Sequence, residues 1–216
     1  MVVLPAINEL DFESVKNRLL QAVEILKSVP ESDRWVHIDV ADGTFTPNVL
    51  WHNSKELGEL KNICQKFEVK IEAHLMVKSP ERALGDWLLA GADRVVVHHE
   101  ELELKGDTCL FGSQVVIGLG VKTTPAEAAS SLEFASQVLL LSVPPGRAGQ
   151  SFDEQTIKKI KFLRTHHPNV TIEIDGGVNL EVGKKLKEAG ATVLVSASYI
   201  WNSENSIEAF QNLRSL

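Results

Sequence analysis

Cysteine is nearly absent from this chain. Cys64 and Cys109 are the only two, and they form no CxxC pair. The reading is two reduced, packed thiols rather than a disulfide framework. No run is long enough and apolar enough to span a bilayer, so no membrane role is expected. Met1 leads straight into a short apolar segment without a basic flank or a small-residue cleavage site. No signal peptide is expected, and the location that follows is cytoplasmic. Basic residues are outnumbered, 22 Lys and Arg against 29 Asp and Glu, for a net charge of −7. That balance argues against nucleic acid as a partner. It leaves room for a small anion, because backbone N–H groups and helix N-termini bind phosphate without a basic surface. No low-complexity linker or charge block interrupts the 216 residues, and 44% of them are apolar, which excludes a disordered chain.

What is present is an alternation of short apolar runs with longer helical patterns. The candidate strands are 2–7, 34–39, 69–75, 93–98, 114–119, 137–143, 170–174 and 192–196. Arg94-Val95-Val96-Val97 and Val138-Leu139-Leu140-Leu141 are continuous runs of the kind found in parallel strands buried on both faces. Helix signals cover 11–28, with Asp11 as N-cap, then 80–90, 153–165, 179–189 and 204–215. Weaker crossovers lie at 101–112 and 124–132. Eight βα units in one domain of residues 1–216 predict an α/β fold, the (β/α)8 TIM barrel. A doubly wound sheet is the alternative, but no GxGxxG follows the first strand.

Catalytic groups of such a barrel sit at the C-terminal ends of its strands. His37, Asp39, His74 and Asp175 are expected there, on strands two, three and seven. His37 and Asp39 are two apart on a strand and so share a face. Two nitrogens and two carboxylates suit one divalent metal ion, Zn²⁺ first, with Fe²⁺, Mn²⁺ or Co²⁺ also accommodated. Asp39 and Asp175 on opposite sides of a pocket can also act as catalytic base and acid on opposite faces of one carbon, which is epimerisation through an enediolate. The bland reading is packed core histidines and helix-capping acids. It suits any one of these residues better than it suits four together.

The late strands carry glycines. Strand six runs into Pro145-Gly146-Arg147-Ala148-Gly149-Gln150, strand seven ends in Asp175-Gly176-Gly177, and strand eight ends in Ser196-Ala197-Ser198. Loops after strands seven and eight are the usual phosphate cradle of this barrel class. Each glycine pair alone reads as an ordinary turn. Together they point to a phosphate, with Arg147 either adding charge or facing solvent.

These segments resemble the ribulose-phosphate 3-epimerase family along nearly the whole chain. The similar blocks are Pro5-Ala6-Ile7 with Asp11-Phe12, His37-Ile38-Asp39-Val40-Ala41-Asp42-Gly43, His74-Leu75-Met76-Val77, His98 with Glu100, the 145–152 segment, Asp175-Gly176-Gly177-Val178 and Ser196-Ala197-Ser198. The resemblance implies that His37, Asp39, His74 and Asp175 bind one catalytic ion and that Asp39 and Asp175 exchange the C3 proton of a ketopentose phosphate. It also implies substrate contacts from His74 and Met76, and phosphate contacts from Gly146, Arg147, Ala148, Gly149, Gly176, Gly177, Ala197 and Ser198. The departures are Ala6 for a usual serine, Ala41 and Leu141 for usual methionines, Gly146-Arg147-Ala148-Gly149 for GFGG, and Ala197 for a glycine. The acid and metal set is thus retained while the substrate shell is altered. Alternatives are an epimerase of another ketose phosphate, such as a hexulose 6-phosphate, and a non-catalytic sugar-phosphate binder. A decarboxylase would need a lysine beside the acids, and the strand-two block has none. A homo-oligomer is compatible with this architecture, and no surface stripe specifies its geometry.

Overall fold

The computed structural model describes residues 1–103, 112–133, 135–145 and 151–216. Eight parallel strands close into a barrel in sequence order: β1 (Val2–Ile7), β2 (Trp35–Ala41), β3 (Lys70–Met76), β4 (Arg94–His98), β5 (Val115–Leu119), β6 (Gln137–Leu141), β7 (Thr171–Asp175) and β8 (Val193–Ser196). The doubly wound alternative is thereby excluded. The helices between them are α1 (Phe12–Leu26), α2 (Leu57–Gln65), α3 (Glu81–Ala90), the one-turn α4 (Ala129–Leu132), α5 (Gln155–His166), α6 (Leu180–Ala189), the short α7 (Ser198–Trp201) and α8 (Ser206–Arg214).

The caps follow the sequence signals. Asp11 accepts from the Ser14 amide at 2.9 Å, and α3 and α6 stop at Gly91 and Gly190. Helix α2 was not among the expected elements. Leu57, Leu60 and Cys64 are its buried residues, at the spacing of one helical face. Two strands run past their expected ends, since β2 continues to Ala41 and β3 to Met76. Asp39 and His74 therefore lie one pleat inside the barrel mouth rather than at the strand ends. In the other direction, β6 stops at Leu141, and 142–145 form the start of the following loop. Most of the 101–112 crossover, including Cys109, lies outside the described residues.

The main core lies between barrel and helices, where Leu19, Leu57, Leu60, Ile172 and Phe210 are all fully buried. Inside the barrel the two sides differ. Leu4, Ala6, Val193 and Val195 form one apolar cluster, and Val96, Val116, Leu139 and Leu141 another. Between them β2, β3, β4 and β7 point charged groups inward, because alternate residues of a strand face one way. No helix among the described residues is long and apolar enough to cross a membrane.

Candidate active site

Register brings the first three groups together. Asp39 of β2 sits beside His74 of β3, and His37 beside Glu72. His74 Nδ1 lies 2.9 Å from Asp39 Oδ1, and His37 Nε2 lies 3.2 Å from both Asp39 Oδ1 and His74 Nδ1. Asp175 closes the group from β7, with Oδ2 3.8 Å from His74 Nδ1. One ligand atom from each of the four falls within 4.8 Å of all the others.

The outward-facing ring nitrogens are also engaged. His37 Nδ1 meets Glu72 Oε1 at 2.6 Å, and His74 Nε2 meets His98 Nε2 at 2.8 Å. His98 Nδ1 reaches Glu100 Oε2 at 3.3 Å. Below His37, Arg94 bridges two fully buried carboxyl groups, donating to Glu72 and, at 3.2 Å, to Glu173 Oε2. Gln137 also donates to Glu173. On the mouth side, Asn8 Nδ2 donates to Asp39 Oδ2 at 2.8 Å.

Electrostatics split the two aspartates. Burial pushes Asp39 upward, but hydrogen bonds to His37 and His74 outweigh it and hold the carboxyl far below the ordinary range. At Asp175 the lowering by His37 and His98 is outweighed. Burial, and then the neighbouring Asp39 charge, push it up to about 7. Burial depresses His37 less than its three carboxylate neighbours raise it, so it ends well above the ordinary imidazole value. Burial leaves His74 and His98 below that value. Glu100 is raised by burial, yet its bond to His98 prevails and holds it at about 2.

Above the acids lies a pocket lined by Ala6, Asn8, Met76, Leu141, Gly176 and Ser198 among others. Of the expected substrate and phosphate contacts, Met76, Gly176, Gly177, Ala197 and Ser198 line it. His74 lies beneath, with 1% of its side chain exposed. Gly146, Arg147, Ala148 and Gly149 lie outside the described residues. Ser142 Oγ donates to the carbonyl of Asp175 at 2.9 Å, which ties the β6 loop to the turn after β7.

A sequence profile described as the ribulose-phosphate 3 epimerase family matches residues 3–201. The chain belongs to that family. It is 30% identical to the ribulose-phosphate 3-epimerase of Schizosaccharomyces pombe over 88% of this chain and 85% of that one. It is 33% identical to the Chlamydia muridarum protein of the same name, over 79% and 77%. Among solved structures, 3-hexulose-6-phosphate synthase from Salmonella typhimurium aligns over 100% of this chain and 97% of its own, with a TM-score of 0.66 at 18% identity, a likeness of fold. As a member of the epimerase family the chain is an enzyme of the isomerase class.

Within this epimerase-family site, the departures fall on the walls. Ala6 and Leu141 line the pocket, while Ala41 packs with Leu50 and Met76. Several polar residues of the site were not singled out from sequence: Asn8, Glu72, Arg94, Glu173, and the contact of the His98–Glu100 pair with His74. Their signal was present in part. Glu72 precedes His74 by two residues and Glu173 precedes Asp175 by two, so each shares a face with an expected ligand.

Proposed function

We infer that this chain is a metal-dependent 3-epimerase that interconverts D-ribulose 5-phosphate and D-xylulose 5-phosphate by proton transfer between two aspartates. The observation that carries this reading is the opposed setting of Asp39 and Asp175. They come from β2 and β7, both line the pocket, and their carboxylate oxygens fall within one 4.8 Å group, while in the metal-free protein hydrogen bonds hold Asp39 low and burial pushes Asp175 up to about 7. Two titratable groups whose surroundings drive them apart are the arrangement an acid–base pair needs.

The donor set fits a divalent ion. A tetrahedral centre with bonds of about 2.05 Å has ligand–ligand edges of roughly 3.3 Å. The His37–His74 and His37–Asp39 edges are 3.2 Å, and His74–Asp39 is 2.9 Å. The His74–Asp175 edge of 3.8 Å is the long one. Both imidazoles are neutral-donor ligands of the borderline type that Zn²⁺ takes, and Fe²⁺, Mn²⁺ and Co²⁺ accept the same set. An ion there would supply Lewis-acid polarisation of the substrate's carbonyl and stabilise its enediolate.

The chain's own residues do the rest. Asp39, ionised, takes the C3 proton from one face, and Asp175 delivers a proton to the other. The roles reverse for the opposite direction. Asn8 holds Asp39 Oδ2, leaving Oδ1 on the histidine side. Met76 and Leu141 form the apolar wall that keeps water from the carbanion-like centre. Gly176 and Gly177 let the backbone approach a phosphate, with Ala197 and Ser198 beside them on the pocket wall. A phosphorylated ketose is therefore the partner.

The test is exchange of the C3 proton of D-ribulose 5-phosphate with deuterium oxide, followed by NMR on Zn²⁺-loaded protein. Wild type exchanges and forms D-xylulose 5-phosphate. Asp175→Asn, with an unchanged circular dichroism spectrum, loses formation of D-xylulose 5-phosphate by at least about 10²-fold, as expected for removal of a general acid or base, while Asp39 can still exchange the C3 proton of the substrate. Formation of D-xylulose 5-phosphate at the wild-type rate in that variant refutes the two-aspartate mechanism.

A further inference from the structure

The glycine pair after β7 has a hydroxyl behind it. Ser142 is the first polar residue after the apolar run Val138–Leu141, and it is fully buried. A buried hydroxyl needs a partner. Ser142 Oγ donates to two backbone carbonyls in a three-centre bond, that of Asp175 at 2.9 Å and that of Gly176 at 2.5 Å. The Asp175 carbonyl also accepts the Ser142 amide at 2.8 Å, whereas the Gly176 carbonyl has no other donor among the described residues. The shorter arm thus serves the carbonyl that depends on it. Ser142 is itself held from both sides. Its N–H is bound to Asp175, and its own carbonyl accepts from the Asp153 amide at 2.9 Å.

Peptide geometry carries this bond through to the pocket. A trans peptide is planar, so its C=O and N–H point in opposite directions. No cis bond occurs among the described residues. With the Gly176 carbonyl turned to Ser142, the N–H of the same peptide, which belongs to Gly177, points away from Ser142. Gly177 lines the pocket beside Ala197 and Ser198, and Ser142 lies behind it, outside the lining. The Gly177 N–H meets no acceptor among the described residues. It is a donor left open to an anion. Unrestrained, this peptide would turn readily. Its two residues have φ of +106° and +63°, and glycine adopts either sign of φ about equally well. A turned peptide would present a carbonyl oxygen to the pocket and repel a phosphate. We propose that Ser142 is a positioning residue that locks the Gly176–Gly177 peptide with the Gly177 N–H aimed at the phosphate of the substrate. This rests on the reading of the substrate as a phosphorylated ketose. It assigns part of the grip on phosphate to a side chain that never touches the ligand, through preorganisation of the backbone that does.

Ser142→Ala and Ser142→Thr test it, with inorganic phosphate as the probe and the full-length chain as the sample. Assigned ¹⁵N–¹H spectra follow the Gly177 amide through the titration. In wild type that amide should shift saturably. Ser142→Ala should bind phosphate roughly 10-fold more weakly or worse, the effect of losing one hydrogen bond to a charged group, and its Gly177 response should vanish. Ser142→Thr keeps the hydroxyl and should retain both, which loosening of the loop alone does not explain. With D-ribulose 5-phosphate and Zn²⁺-loaded protein, the loss in Ser142→Ala should appear as a raised KM with kcat little changed. If Ser142→Ala does not fold, Ser142→Cys supplies a weaker donor of similar shape and should show the same loss in smaller measure. A wild-type Gly177 amide that ignores phosphate overturns the proposal, as does unchanged phosphate affinity in the variant that lacks the hydroxyl. Phosphate binding at Gly177 without epimerisation of D-ribulose 5-phosphate would remove the substrate assignment and leave the role of Ser142 standing.

Discussion

Gly176→Ala adds a single carbon to the turn after β7, and two measurements fix what that carbon does. The backbone φ is +106°, and an ideal Cβ would lie 2.4 Å from Val143 Cγ2, 3.1 Å from Val143 Cγ1 and 3.2 Å from Ser142 Oγ. Left-handed backbone costs an L-residue roughly 1–2 kcal/mol. Forcing an extra carbon into a packed site costs roughly 1–3 kcal/mol more. Val143 is 6% exposed and cannot swing aside into solvent. The single variant should therefore lose about 2–5 kcal/mol. Val143→Ala alone removes two methyl groups and should lose about 2 kcal/mol. In the double variant the clash is gone and only the backbone term stays, so the two substitutions should couple favourably by about 1–3 kcal/mol. Urea denaturation of the four proteins at one fixed metal concentration measures the cycle. Losses that add to within about 0.5 kcal/mol would refute the steric argument and leave the φ term alone.

The remaining predictions concern charge. Asp175, raised to about 7, and His37, raised above its ordinary value, both hold protons in metal-free protein below neutrality, and an ion must displace them. Zn²⁺ affinity should thus climb with pH from 6 to 7 by up to about tenfold per unit for each proton released, then less steeply once Asp175 has ionised and only the His37 proton remains to be displaced. Chelator competition at constant ionic strength reads this, and a flat profile contradicts it. Arg94→Met strips Glu72 and Glu173 of their shared cation and should cost about 3–5 kcal/mol at pH 7.5. Because Glu173 is pushed up to about 7 by burial and by Glu72, it takes a proton as the pH falls, so the loss should shrink at pH 5.5. Equal losses at both pH values would show that Glu173 does not change its charge between them.

The barrel and its four central acid and histidine residues were legible because each signal is local. His37 and Asp39 share a face by the two-residue period, and the glycines after Asp175 mark a turn on the same strand. Strand ends were less legible. Val40-Ala41 and Leu75-Met76 continue the pairing of β2 with β3 without any change in composition, because a strand buried on both faces has no alternation to lose. Helix α2 did announce itself through Leu57, Leu60 and Cys64, but over a short span and without a capping side chain on Glu56. The Glu72–Arg94–Glu173 cluster could not be read locally. Each of the three looks like a solvent-facing charge on its own strand, and β7 reaches β3 and β4 only when the barrel closes. The partnership of His74 with His98 likewise depends on the barrel's cross-section rather than on spacing.

The unequal interior of the barrel divides the labour of adaptation. Asp39, Glu72, Glu173 and Asp175 project inward from β2, β3 and β7 with a single guanidinium among the described residues, so that Glu72 and Glu173 shift each other and Asp39 and Glu72 both raise Asp175. A change at Asp39 or Glu72 is therefore felt at Asp175. The β1, β6 and β8 positions facing the pocket, Ala6, Leu141 and Val195, carry no charge. Their size can drift without disturbing proton placement. The uncharged walls thus set the shape of what enters the pocket, and the charged groups beneath set where its protons can go.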